Sequence, residues 1–347
     1  IGADAFSKCS NLTSINIGAG IQEASWLPVN VTEITISISK DNPYLETDSK
    51  AIFAKANREL SVSIYISAET TYDIPSTVDD LSVTSIGESA FRSRSSLTSI
   101  TIPKSITSIG ESAFSGCSGL LSITIPDSVI SIGSHAFYNC SSLAEIVIPD
   151  GLTMINGNTF YNCTALVKVT IPNNVTSIGM QAFYECSSLI SVNIGSGVTN
   201  IGENAFSGCS GLLSITIPDS VKSIGRQGFM GCSNLSSLSI GKGLTSIDYD
   251  AFANCKKLTK INITDLEAWC KLDVGSYATN NPLYYAHKLY LNDELITNLI
   301  IPNGVTSVRM AFAYCNSITS ITIPDSVTSI GKKAFEGCIS LTSVVIK

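Results

Sequence analysis

A 23-residue unit is repeated seven times without a gap between Leu97 and Lys257. One clear copy, from Leu97 to Gly119, reads LTSITIPKSITSIGESAFSGCSG. A fixed period in the twenties is typical of one supersecondary unit stacked on copies of itself, because each unit buries its apolar face only against its neighbours. We therefore expect a stack of coils that presents an extended surface rather than a reaction centre.

Positions 1 to 6 of the coil predict a short β-strand. In the copy LLSITI, Ile123 and Ile125 are expected to face inward while Thr124 faces solvent, as alternation in a strand requires. Proline at position 7, as in Pro126, ends the strand because it cannot donate to the ladder. This L-x-x-L-x-L pattern predicts an α/β-type, mostly β fold. We expect a right-handed leucine-rich repeat solenoid with a parallel β-sheet and coils of about 23 residues.

The second half of the coil predicts a turn and a core. Position 14 is usually Gly, as in Gly133, and we expect a left-handed turn there. Phenylalanine at position 18 and cysteine at position 21 are expected to stack inside the coils. In-register cysteines point in parallel, which suits neither a disulfide nor tetrahedral zinc, so we predict reduced thiols. These are Cys9, Cys117, Cys140, Cys163, Cys186, Cys209, Cys232, Cys255, Cys315 and Cys338.

Two segments interrupt the period and predict inserted modules within one solenoid domain, 1–347. Irregular N-terminal coils carry an inserted hairpin at 42–74, with strands at Ala51–Phe53 and Leu60–Ile66. Regular repeats follow at 97–257. A second module at 265–295 is expected to contain a helix at 266–272 and a hairpin, from Tyr284 to Leu295, that turns at Asn292–Asp293. The C-terminal coils are 296–347.

The composition limits the classes of partner. Charged residues make up 14% of the chain, and the net charge is −7. This leaves no basic footprint for nucleic acid. A run of about 18 apolar residues is missing, so the sequence predicts no membrane span. Because the chain starts in the middle of a coil, we expect it to be a fragment from which an export signal has been removed.

Residues that could carry chemistry are sparse. The two histidines, His135 and His287, lie in no spacing that suggests a catalytic triad or a metal site. Asp127, Asp150 and Asp219 share one turn position, and turn formation explains them better than calcium binding. We predict no enzyme activity and no cofactor.

Two surfaces are candidates for ligand binding. The outward sheet face is rich in hydroxyl groups and includes Thr124, Lys168 and Thr170; it is either a solvated face or a recognition face. The second candidate is aromatic. Tyrosines recur at position 19 of the coil, and further tyrosines lie close to Trp269 in the sequence of the second insertion. Exposed aromatic residues anchor interfaces, although some of these could only cover the coil edge. The aromatic candidates are Tyr138, Tyr161, Tyr184, Trp269, Tyr277, Tyr284, Tyr285 and Tyr290.

The repeat resembles that of BspA-type leucine-rich repeat proteins, which are bacterial and protist surface proteins. The motif I-P-x-x-V-x-x-I-G-x-x-A-F-x-x-C-x-x-L is met closely at 125–143 and 217–235. The segments Asp265–Cys270 and Asn281–Leu291 also look like a module that recurs in such proteins. Arg94, in place of cysteine, and Gly228, in place of alanine, depart from the pattern.

The resemblance implies a secreted or cell-surface adhesion module that binds a host matrix protein, a glycan or another microbe. Alternatives are a carbohydrate-active solenoid enzyme, which would need paired carboxylates on the sheet, and an intracellular protein-interaction scaffold. Ice binding would need an unbroken threonine array, which Val147, Asn193 and Ser239 interrupt. The oligomeric state is not predicted.

Overall fold

The computed structural model describes residues 9, 11–23, 35–56, 59–65, 67–275 and 277–347 of the chain. These residues form two compact units, Ile1–Leu166 and Val167–Lys347. Each unit is a stack of β-coils.

The first unit consists of short strands, mostly parallel. They are β1 (Ser14–Ile17), β2 (Thr35–Ile38), β3 (Leu45–Thr47), β4 (Ala51–Ala56), β5 (Glu59–Tyr65), β6 (Thr71–Asp73), β7 (Thr77–Val78), β8 (Leu81–Ile86), β9 (Ser99–Thr101), β10 (Ser108–Ile109), β11 (Ser122–Thr124), β12 (Ser131–Ile132), β13 (Glu145–Ile146) and β14 (Met154–Ile155). One parallel sheet has the order β6-β9-β11-β13, and β1 pairs with β2. The other sheet runs β3-β4-β5-β8-β10-β12, with β7 beside β8.

The predicted N-terminal hairpin is present as β4 and β5, which pair antiparallel from Ala51↔Tyr65 to Ala56↔Glu59. Strand β3 extends it on the other side of β4, also antiparallel. The expected turn at Lys55–Asn57 falls partly on residues 57–58, which lie outside the described residues. Strand β5 then pairs parallel with β8, so the hairpin joins the sheet of the following coils.

The second unit contains the remaining strands and two short helices. They are β15 (Lys168–Ile171), β16 (Ser177–Ile178), β17 (Ser191–Ile194), β18 (Asn200–Ile201), β19 (Ser214–Ile217), β20 (Ser223–Ile224), β21 (Ser237–Ile240), β22 (Ser246–Ile247), β23 (Lys260–Ile263), α1 (Leu266–Lys271), α2 (Leu283–Ala286), β24 (Leu289–Leu291), β25 (Glu294–Leu295), β26 (Asn298–Ile300), β27 (Ser307–Val308), β28 (Ser320–Ile323), β29 (Ser329–Ile330) and β30 (Ser343–Ile346). Short 3-10 turns lie at Ala278–Asn280 and Met310–Phe312.

The main sheet of this unit has the order β15-β17-β19-β21-β23-β24-β25, in which only β25 is antiparallel to its neighbour. Smaller parallel sheets are β16-β18-β20-β22, β26-β28-β30 and β27-β29. The predicted helix at 266–272 is confirmed as α1, and Asp265 caps it through a hydrogen bond of 2.9 Å from the Ala268 amide. The predicted hairpin turn at Asn292–Asp293 is also confirmed. However, Tyr284 and Tyr285 lie in helix α2 rather than in the hairpin.

The interior of the coils matches the predicted pattern. In the regular repeats, 97–257, the inward strand residues and the position-18 phenylalanines are buried, and rings of neighbouring coils stack nearly in parallel. In the last coil, Phe335 is only half-buried. In the second unit, the ring centroids of Phe183 and Phe206 are 5.2 Å apart and those of Phe229 and Phe252 are 5.3 Å apart. The eleven cysteines are free thiols. Cys9 is exposed, however, so it does not share the environment of the buried thiols.

The glycines at position 14 have a different role from the predicted one. None of Gly110, Gly133, Gly202 and Gly225 has a φ in the left-handed region. Instead, a Cβ atom at Gly133 would lie 2.4 Å from the Glu111 backbone nitrogen, and one at Gly225 would lie 2.8 Å from that of Glu203. The prediction of a left-handed turn at this position was therefore wrong, and the close approach of neighbouring coils explains the glycine.

The left-handed residues lie at positions 16 and 20 of the coil. Asn204 and Gly208 are examples, with φ of 53° and 76°. This backbone aims alternate amides at the next coil: Asn204, Phe206 and Gly208 donate to the carbonyls of Arg226, Gly228 and Met230 at 2.7–2.8 Å. The turn is therefore hydrogen-bonded from coil to coil, as the strands are.

Candidate functional site

The outward face of the main sheet in the second unit is a short-chained polar surface. On β15, β17 and β19, positions 3 and 5 are exposed while positions 4 and 6 are buried. Lys168 and Thr170, two of the predicted residues, lie here beside Ser191 and Asn193, in parallel register. On β21 and β23 the same positions are only partly exposed. The accessible part of the face therefore lies on β15, β17 and β19.

An apolar row, which was not predicted, borders this face. Val167, Ile190 and Leu213 each precede one of these three strands and are 42%, 46% and 51% exposed. They lie on neighbouring coils, because the Ile190 amide donates to the Val167 carbonyl at 2.9 Å and the Leu213 amide donates to the Ile190 carbonyl at 3.3 Å. We call Val167, Ile190 and Leu213 the apolar row.

The fold does not require apolar residues at this position. Several other coils have Ser or Thr there, although Leu121 and Ala144 occupy the position in two coils of the first unit. The hydroxyl donates to the preceding coil, as Ser236 does to the Leu213 carbonyl at 3.0 Å and Thr259 does to the Ser236 carbonyl at 3.4 Å. The apolar row gives up these hydrogen bonds and exposes hydrocarbon instead. Its signal in the sequence is the exchange of hydroxyl for apolar residues at position 2 of successive coils.

The sheet ends at a charged and aromatic group. Tyr290 on β24 lies next to Asn262 on β23, and the Lys260 ammonium lies 5.0 Å from the centre of the Tyr290 ring. Lys260 also pairs with Asp293 of the hairpin turn at 2.7 Å. This predicted residue is half-buried and lies one strand in from β25, the last strand of the sheet.

Trp269 does not lie on a binding surface. It is only 2% exposed, and its indole Nε1 donates to the Ala311 carbonyl at 3.1 Å. Asn281 donates to the Met310 and Ala311 carbonyls at 2.8 and 3.2 Å. These side chains supply the donors that a regular coil would provide from its backbone, which corrects the expectation that Trp269 contacts a ligand.

Tyr285 and Asn280 perform the complementary task for the coil before the insertion. The Asp250 amide donates to Asn280 Oδ1 at 3.0 Å, and the Asn254 amide donates to the Tyr285 hydroxyl at 3.3 Å. In regular coils, these two amides would donate to carbonyls of the next coil. Burial raises the pKa of the Tyr285 hydroxyl. Trp269 and Tyr285 therefore join the insertion to the coils on either side of it.

The remaining aromatic residues of the insertion are accessible. Tyr284 packs edge-on against Tyr285 and Tyr314, with 5.0 Å between ring centroids in each pair. Tyr277, which is 63% exposed, packs edge-on against Tyr249 at 5.7 Å. Of the five aromatic residues predicted in the insertion, Tyr277 is thus the most accessible, and Tyr284 follows at 37% exposed.

The tyrosines at position 19 are half-buried. In the first unit, the rings of Tyr138 and Tyr161 stack with 4.6 Å between centroids, so their neighbouring faces cover each other. Thr124 is exposed on β11 of the same unit. Tyr184 lies in the second unit and is likewise half-buried.

The buried thiols are chemically quiet. Cys117, Cys140, Cys209, Cys232 and Cys255 each donate to a phenylalanine carbonyl of an adjacent coil at 2.9–3.3 Å. Burial raises the pKa of the Cys117 and Cys270 thiols to about 12, which disfavours the nucleophilic thiolate. Among the described residues, no three or more His, Cys, Asp or Glu side chains could hold a metal ion.

No helix in the described part of the chain has the length and apolar character needed to cross a membrane.

No protein with curated annotation matches the sequence. Solved structures do. A leucine rich repeat protein of T. pallidum is 32% identical with a TM-score of 0.51, over 55% of this chain and 90% of that one. A leucine rich cell surface protein of Faecalibacterium prausnitzii is 28% identical with a TM-score of 0.47, over 89% of this chain and 96% of that one.

A leucine-rich repeat protein of Bacteroides ovatus is 25% identical with a TM-score of 0.45, over 87% of this chain and 92% of that one. The family model described as BspA type leucine rich repeat region matches six copies, over residues 1–72, 70–189, 153–272 and 286–347. These matches span most of the sequence and agree with the coils described above. The chain therefore belongs to the BspA-type leucine-rich repeat family.

Proposed function

We propose that this chain is a secreted or cell-surface adhesion module that binds a protein partner through the sheet face of its second unit. The apolar row carries this proposal. Its three side chains are exposed where hydroxyl residues serve the fold equally well, and contiguous exposed apolar surface is typical of interaction sites. The adjacent hydroxyl and amide groups would supply a polar rim, as interfaces usually have.

A role in binding rather than catalysis fits the chemistry of this face. Its ionisable groups on β15 and β23 are Lys168 and Lys260, and Lys260 is already paired with Asp293. Polysaccharide cleavage would need a carboxylate pair. Membership of the leucine-rich repeat family favours a role in interaction with other proteins. A host matrix protein or a protein of another microbe is the partner class that we propose.

The proposal is tested by probing an array of matrix proteins and glycans with the intact chain. The triple variant Val167→Thr, Ile190→Thr, Leu213→Thr keeps the fold, since threonine is native at this position in other coils. Loss of apolar anchors in an interface commonly costs about 2 kcal/mol or more, roughly a thirtyfold loss of affinity. We therefore expect the triple variant to bind its partner at least tenfold more weakly.

A matched control is Ile130→Thr with Met154→Ser, because both residues are exposed in the first unit and both replacements occur at the same coil positions elsewhere. The control should bind as the parent does. Tyr284→Ala then tests the accessible aromatic residue of the insertion, and Tyr285 is left intact because of its hydrogen bond to Asn254. Equal losses in the triple variant and the control would refute a role for the apolar row.

A further inference from the structure

A second surface of the second unit differs in charge from the rest of the chain. An open groove of about 600 Å³ is lined by Asp273, Gly275, Arg309, Met310, Gly331, Lys332 and Lys333. Three of these residues are cationic and one is acidic, in a chain whose net charge is −7. None of its lining residues belongs to the apolar row.

The groove originates in a departure from the repeat. The coil that begins at Ile296 has 22 residues rather than 23, and Arg309–Met310 stands where other coils have glycine and two more residues. The turn is correspondingly tight, since Met310–Phe312 forms a 3-10 turn. Position 14 is therefore occupied by an exposed guanidinium group, although glycine is usual there. The next coil keeps Gly331 and adds Lys332 and Lys333 beside it.

The cations are only partly neutralised. Arg309 Nη1 lies 3.0 Å from Asp273 Oδ2, and Lys333 Nζ lies 3.1 Å from Glu336 Oε2. Both pairs are substantially exposed, and exposed ion pairs contribute little, so they compete weakly with an incoming anion. Lys332 is exposed and has no ion pair among the described residues. Arg309 presents a planar fork suited to carboxylate or sulfate groups.

We propose that this groove binds an acidic oligosaccharide, with Arg309, Lys332 and Lys333 holding its carboxylate or sulfate groups. The groove is open, and Met310, its one apolar lining residue, is buried, so it offers no pocket for an apolar peptide side chain. Arg309 and Lys332 lie on two successive coils, whose strands are about 4.8 Å apart, a spacing comparable to the length of one sugar unit. Tyr277, two residues beyond Gly275, adds an exposed aromatic ring to the same loop.

The test is calorimetric titration of the full chain with hexagalacturonate, chondroitin sulfate hexasaccharide and neutral maltohexaose at low salt. At least one acidic probe should bind, and maltohexaose should not. Lys332→Glu should weaken binding at least tenfold. Lys104→Glu makes the same charge change at an exposed lysine of the first unit and should have little effect. Asp273→Asn should tighten binding severalfold, because it frees Arg309 while its amide oxygen can still accept from Gly275.

Several outcomes would overturn the inference. They are binding of neither acidic probe, equal weakening by Lys332→Glu and Lys104→Glu, and tighter binding of hexaglutamate than of either acidic saccharide, which would indicate an acidic peptide. The apolar-row triple variant should bind the acidic probes normally. The proposal for the groove and the proposal for the sheet face can therefore be refuted independently of each other.

Discussion

Gly225 provides a direct test of why coils of this repeat can stack so closely. Its φ lies outside the left-handed region, so alanine can adopt the same backbone without a conformational penalty. An added Cβ would nevertheless lie 2.8 Å from the Glu203 nitrogen and 2.9 Å from the Gly202 carbonyl carbon. Real Cβ contacts are rarely below about 3.4 Å, so the two coils must separate by roughly 0.5 Å.

That separation acts on an inter-coil hydrogen bond, because the Gly225 amide donates to the Ile201 carbonyl at 2.8 Å. Overpacking of a close-packed interior typically costs about 1–3 kcal/mol, and we expect Gly225→Ala to fall in this range. The assay is urea unfolding followed by the fluorescence of Trp269, which is buried in the same unit.

Two controls separate crowding from backbone conformation. Gly231 has a φ of 74°, and a Cβ there meets its nearest atom at 3.7 Å. Asparagine occupies the same coil position with positive φ at Asn139 and Asn254, so Gly231→Asn should change stability by less than about 0.5 kcal/mol. Gly20, with open space around it, should also tolerate alanine. If Gly225→Ala unfolds as the parent does, close approach is not the reason for the glycine.

Four further variants test the interior and the insertion. Phe183→Ala removes a fully buried ring stacked on its neighbour and should cost about 3–5 kcal/mol in urea unfolding. Tyr285→Phe leaves the Asn254 amide without its acceptor and should cost about 1 kcal/mol, whereas Tyr284→Phe should cost little. Stability should fall as the pH rises above about 8.5, the pKa of an unfolded thiol. Burial raises the folded pKa of Cys117 to about 12, so each such thiol contributes a loss of about 1.4 kcal/mol per pH unit between these values. Cys117→Ala should make the pH dependence shallower.

Each of these expectations has a clear contrary result. An unchanged midpoint for Phe183→Ala would place that ring outside the core. Equal effects of the two tyrosine variants would show that the Tyr285 hydroxyl does not serve Asn254. Stability that stays constant from about pH 8 to pH 11 would mean that the cysteines ionise as freely in the folded chain as in the unfolded one.

The structure of one coil was predictable because the same residue pattern recurs in every coil. Alternation around Ile123, the buried phenylalanines and the free thiols follow from residues that recur at a fixed spacing. Position 14 was misjudged because glycine serves both positive φ and close approach, and a single sequence does not separate these causes. The left-handed positions 16 and 20 were missed because they hold Ser, His, Gln, Asn and Glu as well as Gly.

The candidate site was less predictable because it depends on departures from the repeat. Trp269 was expected on a surface, yet its indole replaces a backbone donor that the insertion removes. Tyr285 was expected to contact a ligand, and its hydroxyl accepts from Asn254 for the same structural reason. The apolar row was overlooked because valine, isoleucine and leucine in a strand pattern resemble core residues until their exposure is known.

The most direct test of the proposed adhesion surface is hydroxyl-radical footprinting of the chain with its captured protein partner. Binding should reduce oxidation of Val167, Ile190 and Leu213 and leave Ile130 and Met154 unchanged. Protection confined to Ile130 and Met154, or to the insertion around Tyr284, would contradict a binding surface on the sheet face of the second unit.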